Sequence, residues 1–233
     1  MAIFDIPPKS FILMTPEALA QCAELACILE VQADKPGNVT LHKSFNDTNA
    51  GDYHRAAKAL ALNIPQNLNS NLGEMILTLV KKTRNEARGN PNLGIILLFS
   101  PLLLAYKKGD LHKNLADVLR SSDGQDALRV YEAIRLARPG GLGRVPKGDV
   151  LERPTMSLAQ AMDLAKERDT IAREYVTDFQ VTFEYSTPRL IKHLKTGIPI
   201  RKAVVQIYIE ILALYPDSLI TRKEGMEVDF TAI

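Results

Sequence analysis

Arg88-Gly-Asn-Pro-Asn-Leu-Gly94 sets a cation, a glycine and two amides directly ahead of an apolar run. Asn favours the N-cap and Pro91 is pre-set for a first helical position, so a helix is expected to begin here. The first turn of a helix has backbone N–H groups without partners and a partial positive charge, which suits phosphate. The run behind it is too apolar for a surface helix, so its polar end is expected to open onto an internal site. Arg88, Asn90, Asn92 and Gly94 are therefore candidate phosphate-binding residues, with Glu74 and Arg84 upstream. The segment is not a Walker A loop, since it lacks Gly-Lys-Ser/Thr and no strand precedes it. On residue types alone, an anion site and an ordinary helix start stand level.

Three other constellations carry chemical groups. Glu30 falls in the last turns of an apolar helix, where a carboxylate is costly without a partner. Lys35, Gly37 and Asn38 follow it; Lys35 is a point charge for phosphate and Gly37 permits close backbone approach. Spacing alone favours plain helix termination there. Asp47 and Asp52 are a candidate magnesium pair, because magnesium usually takes one or two carboxylates and leaves waters and substrate phosphates to complete its shell. Turn and cap roles explain the two aspartates equally simply, and on spacing that reading leads. His42 and His54 lack an i, i+4 partner, which argues against zinc. Finally, Arg138-Pro-Gly-Gly-Leu-Gly-Arg-Val-Pro-Lys-Gly-Asp149 could fold over phosphates, as could many flexible connectors. Asp169 and Arg173, four apart, read as a solvated salt-linked face.

The elements that must position these groups are helical. Thr15-Pro16-Glu17 is an N-cap, a first-turn Pro and a first-turn acid, and it opens what reads as a deeply buried helix to about residue 33. Lys35-Pro36-Gly37-Asn38 ends it. Further helices are expected over about 52–62, 73–87, 92–106, 112–120 and 125–137. An Asn-rich loop falls around 66–71, and Ser157-Leu-Ala-Gln160 is a capping box that starts a long helix to about 183. Two more follow, over about 188–195 and 199–214. No stretch demands a strand, so the expected fold is a single all-α domain over residues 1–233 with a buried central helix.

Composition narrows the class. Charged residues are 24%, hydrophobic residues 46%, and the net charge is +2. That balance argues against disorder and against a dedicated nucleic-acid binder. The apolar run from 93 to 106 is about fourteen residues, short of the roughly twenty a membrane span needs, so no membrane partner is expected. Cys22 and Cys27 are the only cysteines, five apart on one helix and so on different faces. They suit neither a disulfide nor a metal pair, and with no signal-peptide pattern a cytoplasmic location is expected.

Taken in chain order, these segments resemble the triphosphoribosyl-dephospho-CoA synthase family. Glu30-Val-Gln-Ala-Asp-Lys-Pro-Gly-Asn-Val39 is similar to that family's Glu and Pro-Lys-Pro-Gly block. Asn46-Asp47 through Asp52 occupies the place of its acidic segment. Glu74-Met75, followed by Arg88-Gly-Asn-Pro-Asn-Leu-Gly94, resembles its Glu-x-x-Met and Asn-Thr-His-Lys-Gly block, here without the His and Lys. With Pro139-Gly-Gly-Leu-Gly143, Asp149-Val150 and Arg168-Asp169, the chain looks like a divergent branch. The chain stops at Ile233 where the family generally continues, so a shortened member is expected.

The resemblance implies an all-α transferase that takes ATP and 3′-dephospho-CoA, releases adenine and joins the triphosphoribosyl group to the acceptor ribose, making a prosthetic-group precursor. It implies Glu30 or Glu74 as catalytic carboxylates supporting the charge that builds at C1′. Magnesium would sit on Asp47 and Asp52, and the triphosphate on Lys35, Gly37, Asn38, Arg88, Asn90, Asn92 and Gly94. Two alternatives remain open: an ATP- and magnesium-dependent transferase with another acceptor, and a non-catalytic helical binding or scaffold protein. Leu- and Ala-rich helices permit a homodimer, but no heptad pattern requires one.

Overall fold

The computed structural model describes residues 14–89, 91–106, 110–140 and 142–215. Asn90 and Gly141, which belong to two of the motifs above, lie outside the described residues. The described chain forms ten α-helices and one π-helical segment, with no strand among the described residues. They are α1 (Pro16–Gln32), α2 (Ala50–Asn67), α3 (Leu72–Glu86), α4 (Leu93–Tyr106), α5 (Leu111–Arg120), α6 (Gly124–Ala137), α7 (Leu158–Ala165), α8 (Thr170–Val176), α9 (Thr187–Lys195) and α10 (Ile200–Leu214). The π-helical segment, Val181–Ser186, lies between α8 and α9.

α1 packs along α2, α2 along α3, and α3 against both α4 and α6. Their apolar faces merge into one core that includes Leu60, Ile64, Met75, Ile76, Leu79, Ile96, Leu115, Val130, Leu158 and Phe179. No residue of α4 is exposed, which bears out the buried helix expected from its composition. Neighbours on every side satisfy a helix that is apolar all round. Its Ser100 hydroxyl returns to the Ile96 carbonyl at 2.7 Å, so the single interior hydroxyl carries no unmet bond.

Three elements differ from expectation, each for a local reason. α1 is not deeply buried: Leu19, Ala20, Ala23, Cys27 and Val31 face the core, whereas Cys22 and Leu25 face outward. Ala and Cys are small enough to sit on either face, so the apolar run hid a single-sided helix. α2 runs to Asn67, past Pro65 and into the expected Asn-rich loop, where the Asn63 and Asn67 side chains bond back to the carbonyls of Ala59 and Asn63.

The long helix expected from Ser157 is three pieces. Asp169 ends the first by capping α8, its carboxylate accepting the N–H groups of Ile171 and Ala172, and so it is not simply half of a salt-linked face. Asp178 and Phe179 then take left-handed backbone at φ 52° and 63°, and the chain re-enters helix through the π-helical segment.

This topology collects the helix ends that matter. The C-terminal ends of α1 and α3 lie beside the N-terminal ends of α2 and α4. Arg55 on α2 reaches the Glu86 carbonyl at the end of α3 at 2.9 Å, and Tyr53 in the first turn of α2 lies close to Glu30 on α1.

Candidate active site at the shared helix ends

Asp52 is the hub of this corner. Its side chain is fully buried, and donors from three segments converge on it. Oδ2 accepts the Asn49 N–H at 3.0 Å, while Asn49 Oδ1 accepts the Asp52 N–H at 3.2 Å, a reciprocal capping box at the start of α2. Oδ1 accepts the Arg88 N–H at 3.1 Å and a guanidinium N–H of Arg55. The Arg88 guanidinium lies 3.7 Å from Oδ2. Burial pushes the Asp52 carboxyl up. The N–H groups of Arg88 and Asn49 and the charges of Arg88 and Arg55 outweigh it, holding the group below the ordinary carboxylate value.

Around this hub the loops touch. Gly89 has φ 67°, and a Cβ there would stand 2.6 Å from the Thr48 hydroxyl oxygen, so the 88–89 turn and the 47–48 loop approach as only glycine allows. Asp47 is exposed; its Oδ1 accepts the Thr48 hydroxyl at 3.2 Å. Both arginines at the hub keep their outer faces in solvent, with side chains 52% (Arg55) and 69% (Arg88) exposed.

Glu30 and Lys35 form the next layer. The buried Lys35 ammonium donates to the Glu30 carbonyl and to Glu30 Oε1, each at 2.5 Å. Glu30 Oε2 is buried without a partner. Lys35-Pro36-Gly37-Asn38 is a type II turn, with the Asn38 N–H on the Lys35 carbonyl at 3.3 Å and Gly37 at φ 78° in the position that requires it. Tyr53, on α2, feels the charge of Glu30. Burial first, then the negative charges of Glu30 and Asp47, pushes its phenol up to about 12, so it stays a neutral donor at working pH.

Asn92 stands at the foot of α4 with its carbonyl accepting the Ile96 N–H at 2.9 Å. Its side chain is 1% exposed, and neither amide atom finds a partner among the described residues. A buried amide without partners is costly and calls for an explanation. Gly94, the second residue of α4, would bring a Cβ to 3.3 Å from Ile171 Cδ1, so its small size admits α8 against α4.

The corner thus gathers Glu30, Lys35, Gly37, Asn38, Asp47, Asp52, Arg88 and the Asn92–Gly94 helix start. Glu74 is not brought to it. It sits in the first turn of α3, bonded to Arg129 on α6, and twelve helical residues, about 18 Å, separate it from Glu86 at the corner. Arg84 is likewise turned away, donating to the Leu136 carbonyl at the end of α6. The Gly-rich loop is organised by Asp149, which accepts the N–H groups of Val145 and Leu151 and whose carboxyl those bonds hold below its ordinary value.

Sequence reasoning passed over Arg55, Tyr53 and Tyr208. Arg55 was open to discovery as the i+3 neighbour of Asp52. Tyr208 carried no signal, because its hydroxyl reaches the Pro36 carbonyl at 3.1 Å from 172 positions away. Among the described residues there is no group of three His, Cys, Asp or Glu side chains placed to hold a metal. Donors already occupy both Asp52 oxygens. Asp47 is the exposed carboxylate, and none of the described residues donates to its Oδ2. One carboxylate with waters and phosphates is an ordinary magnesium arrangement, so Asp47 fits and Asp52 fits only by losing its arginines.

A family model described as ATP:dephospho-CoA triphosphoribosyl transferase matches residues 16–229. No curated protein and no solved structure matches the chain.

Proposed function

We propose, for a chain that belongs to the ATP:dephospho-CoA triphosphoribosyl transferase family, that the corner built around Asp52 is where the transfer takes place. The enzyme moves the triphosphoribosyl group of ATP to dephospho-CoA. In that exchange the bond from C1′ to adenine breaks, a bond from C1′ to an acceptor ribose oxygen forms, and the hydroxyl proton must leave. The site therefore needs cations for a triphosphate, a carboxylate near C1′ and an acceptor for one proton.

The observation that carries the proposal is the Asn92 amide, buried and unpartnered at the start of α4, four positions along the chain from Arg88, whose guanidinium shares the Asp52 hub with that of Arg55 and faces solvent as it does. A triphosphate across Arg88 and Arg55 would take the first-turn N–H groups of α4, and the Asn92 Nδ2 would gain the acceptor it lacks. The N-terminal end of α2 adds its dipole from the opposite side. Asp52 serves as the post that fixes both arginines. Asp47 would hold magnesium, which when bound neutralises triphosphate charge.

Glu30 is the carboxylate we assign to the reacting centre. Lys35 fixes its Oε1 and leaves Oε2 to face the positive charge that builds at C1′ and to accept the hydroxyl proton. Tyr53, neutral and beside Glu30, can donate to a sugar oxygen or phosphate. Glu74, tied to Arg129 at the far end of α3, takes no part. A reaction on ATP and dephospho-CoA suits the cytoplasm, and no helix among the described residues is long and apolar enough to cross a membrane.

The test is chromatographic detection of adenine from ATP with dephospho-CoA, for the wild type and for Arg88→Ala. The proposal expects adenine only with the acceptor present and a rise in KM for ATP of tenfold or more in the variant. An unchanged KM would remove Arg88 from the triphosphate site.

A further inference from the structure

Beside this corner lies a second concavity that the phosphate chemistry does not use. It has a volume of about 260 Å³ and is walled mainly by Leu98, Ile171, Val181, Tyr208, Leu212 and Tyr215. Two of its walls are shared with the corner. Tyr208 bonds the Pro36 carbonyl, and the Lys35 ammonium lies 6.0 Å from its ring centre. Ile171 packs on Gly94 in the first turn of α4, and Leu98 belongs to the same helix one turn further on. A ligand with its phosphates at the α4 start would thus have this cavity within reach.

The opposite wall is strained. Asp178 and Phe179 both hold positive φ, which is rare for any residue with a side chain and more so for a bulky one. Glu174 consumes its carboxylate there, accepting the N–H groups of Val181 at 3.0 Å and Thr182 at 3.3 Å as the π-helical segment begins. A π-helical turn and left-handed backbone held side by side cost free energy, and such features concentrate at ligand sites. Here they set Val181, Thr182 and Ser186 along the cavity.

Resting on the transfer reading above, we infer that this cavity is a subsite for a purine base, the adenine of one of the two nucleotide substrates. The volume suits a flat base rather than a whole nucleotide or an extended chain. Aliphatic walls and two phenol rings offer stacking surface, and the Thr182 and Ser186 hydroxyl oxygens, whose protons go to Glu174 and to the Val181 carbonyl, can accept from the exocyclic amine of the base. Arg173, 5.2 Å from the Tyr215 ring centre, stiffens that wall by a cation–π contact. ATP and dephospho-CoA both carry adenine, so the chemistry of recognition is shared and the source is settled by experiment.

Leu212→Trp fills the cavity without touching Lys35, Asp52 or Arg88. Calorimetry of ATP, dephospho-CoA and inorganic tripolyphosphate against wild type and Leu212→Trp decides the matter. The inference expects unchanged tripolyphosphate binding and at least tenfold weaker binding of one nucleotide, and the one that weakens is the source of the base. Equal affinity of both nucleotides for the two proteins would overturn it. Failure of tripolyphosphate to bind the wild type would count against the proposed phosphate site alone, since the nucleotide comparison still reports on the cavity. Should Leu212→Trp not fold, adenosine is titrated into wild type and Tyr215→Ala and followed by tyrosine fluorescence, which no tryptophan masks. Saturable quenching that weakens about tenfold in the variant supports the inference. No binding to wild type, or equal binding to both, refutes it.

Discussion

Asn92→Leu separates stability from function at the proposed site. The Asn92 amide is buried with two atoms unpartnered, and each such group costs roughly 1–3 kcal/mol relative to a satisfied one. Leu keeps the branching at Cγ and has no polar atom to satisfy, although it is the larger side chain. The side chain makes no cap bond that Leu would forfeit, since neither of its amide atoms is engaged. Allowing for imperfect fit of the branched chain, the unliganded variant should gain about 1–2 kcal/mol. At about 2–4 °C per kcal/mol for a chain of this size, Tm should rise by about 2–8 °C. The amide would no longer be there to meet a triphosphate, so the rise in Tm that ATP gives the wild type should shrink or vanish. Far-UV circular dichroism melts of both proteins, with and without ATP, read both effects. A lower Tm in the variant together with an undiminished ATP shift would refute the reasoning: the amide would then be a structural group and not a waiting ligand.

Other perturbations follow from the same contacts. Gly89→Ala must hold φ 67° and push aside the Thr48 hydroxyl at 2.6 Å, so chemical denaturation should show a loss of about 1–3 kcal/mol, with Thr48→Ala relieving part of it. Asp52 has a carboxyl held below its ordinary value, so its stabilisation is complete above the unfolded value near 3.9 and is lost as pH falls through the lower folded value. Asp52→Asn should therefore melt below the wild type at pH 7, with the gap closing in acid, whereas a gap constant with pH would contradict the charged hub. Cys27 is buried with its thiol pushed up to about 12 by burial and then by Glu30, while Cys22 is exposed, so maleimide at neutral pH should label Cys22 alone in the folded protein, as read by mass spectrometry.

Helix starts were legible because their signals are local. Thr15 caps α1 through the Ala18 N–H, and Ser157 with Gln160 forms the expected box at α7. The apolar character of α4 was legible for the same reason, being a property of fourteen adjacent residues. Asp52 was half legible: an aspartate at that place reads equally as a cap and as a metal ligand, and only the fold brings Arg88 from 36 positions away to decide its company. Glu74 has the type and the motif, yet α3 carries it to the end of the bundle away from Asp52, where it bonds Arg129. The break at Asp169 and the left-handed pair Asp178 and Phe179 lie within apolar periodicity that reads as one helix. Asp169 is a cap type, yet four positions before Arg173 it reads as well as a surface charge, and no short-range preference announces the left-handed pair.

The most direct test of the account is the rate of adenine release from ATP and dephospho-CoA by Glu30→Gln and Glu74→Gln, measured side by side with the wild type. The account predicts loss of turnover by about a hundredfold or more in Glu30→Gln, the scale expected on removing a general base or charge-stabilising group. It predicts near-wild-type turnover in Glu74→Gln, whose side chain serves a contact with Arg129. A fully active Glu30→Gln with an inactive Glu74→Gln would place the chemistry at the other end of α3 and contradict the site described here.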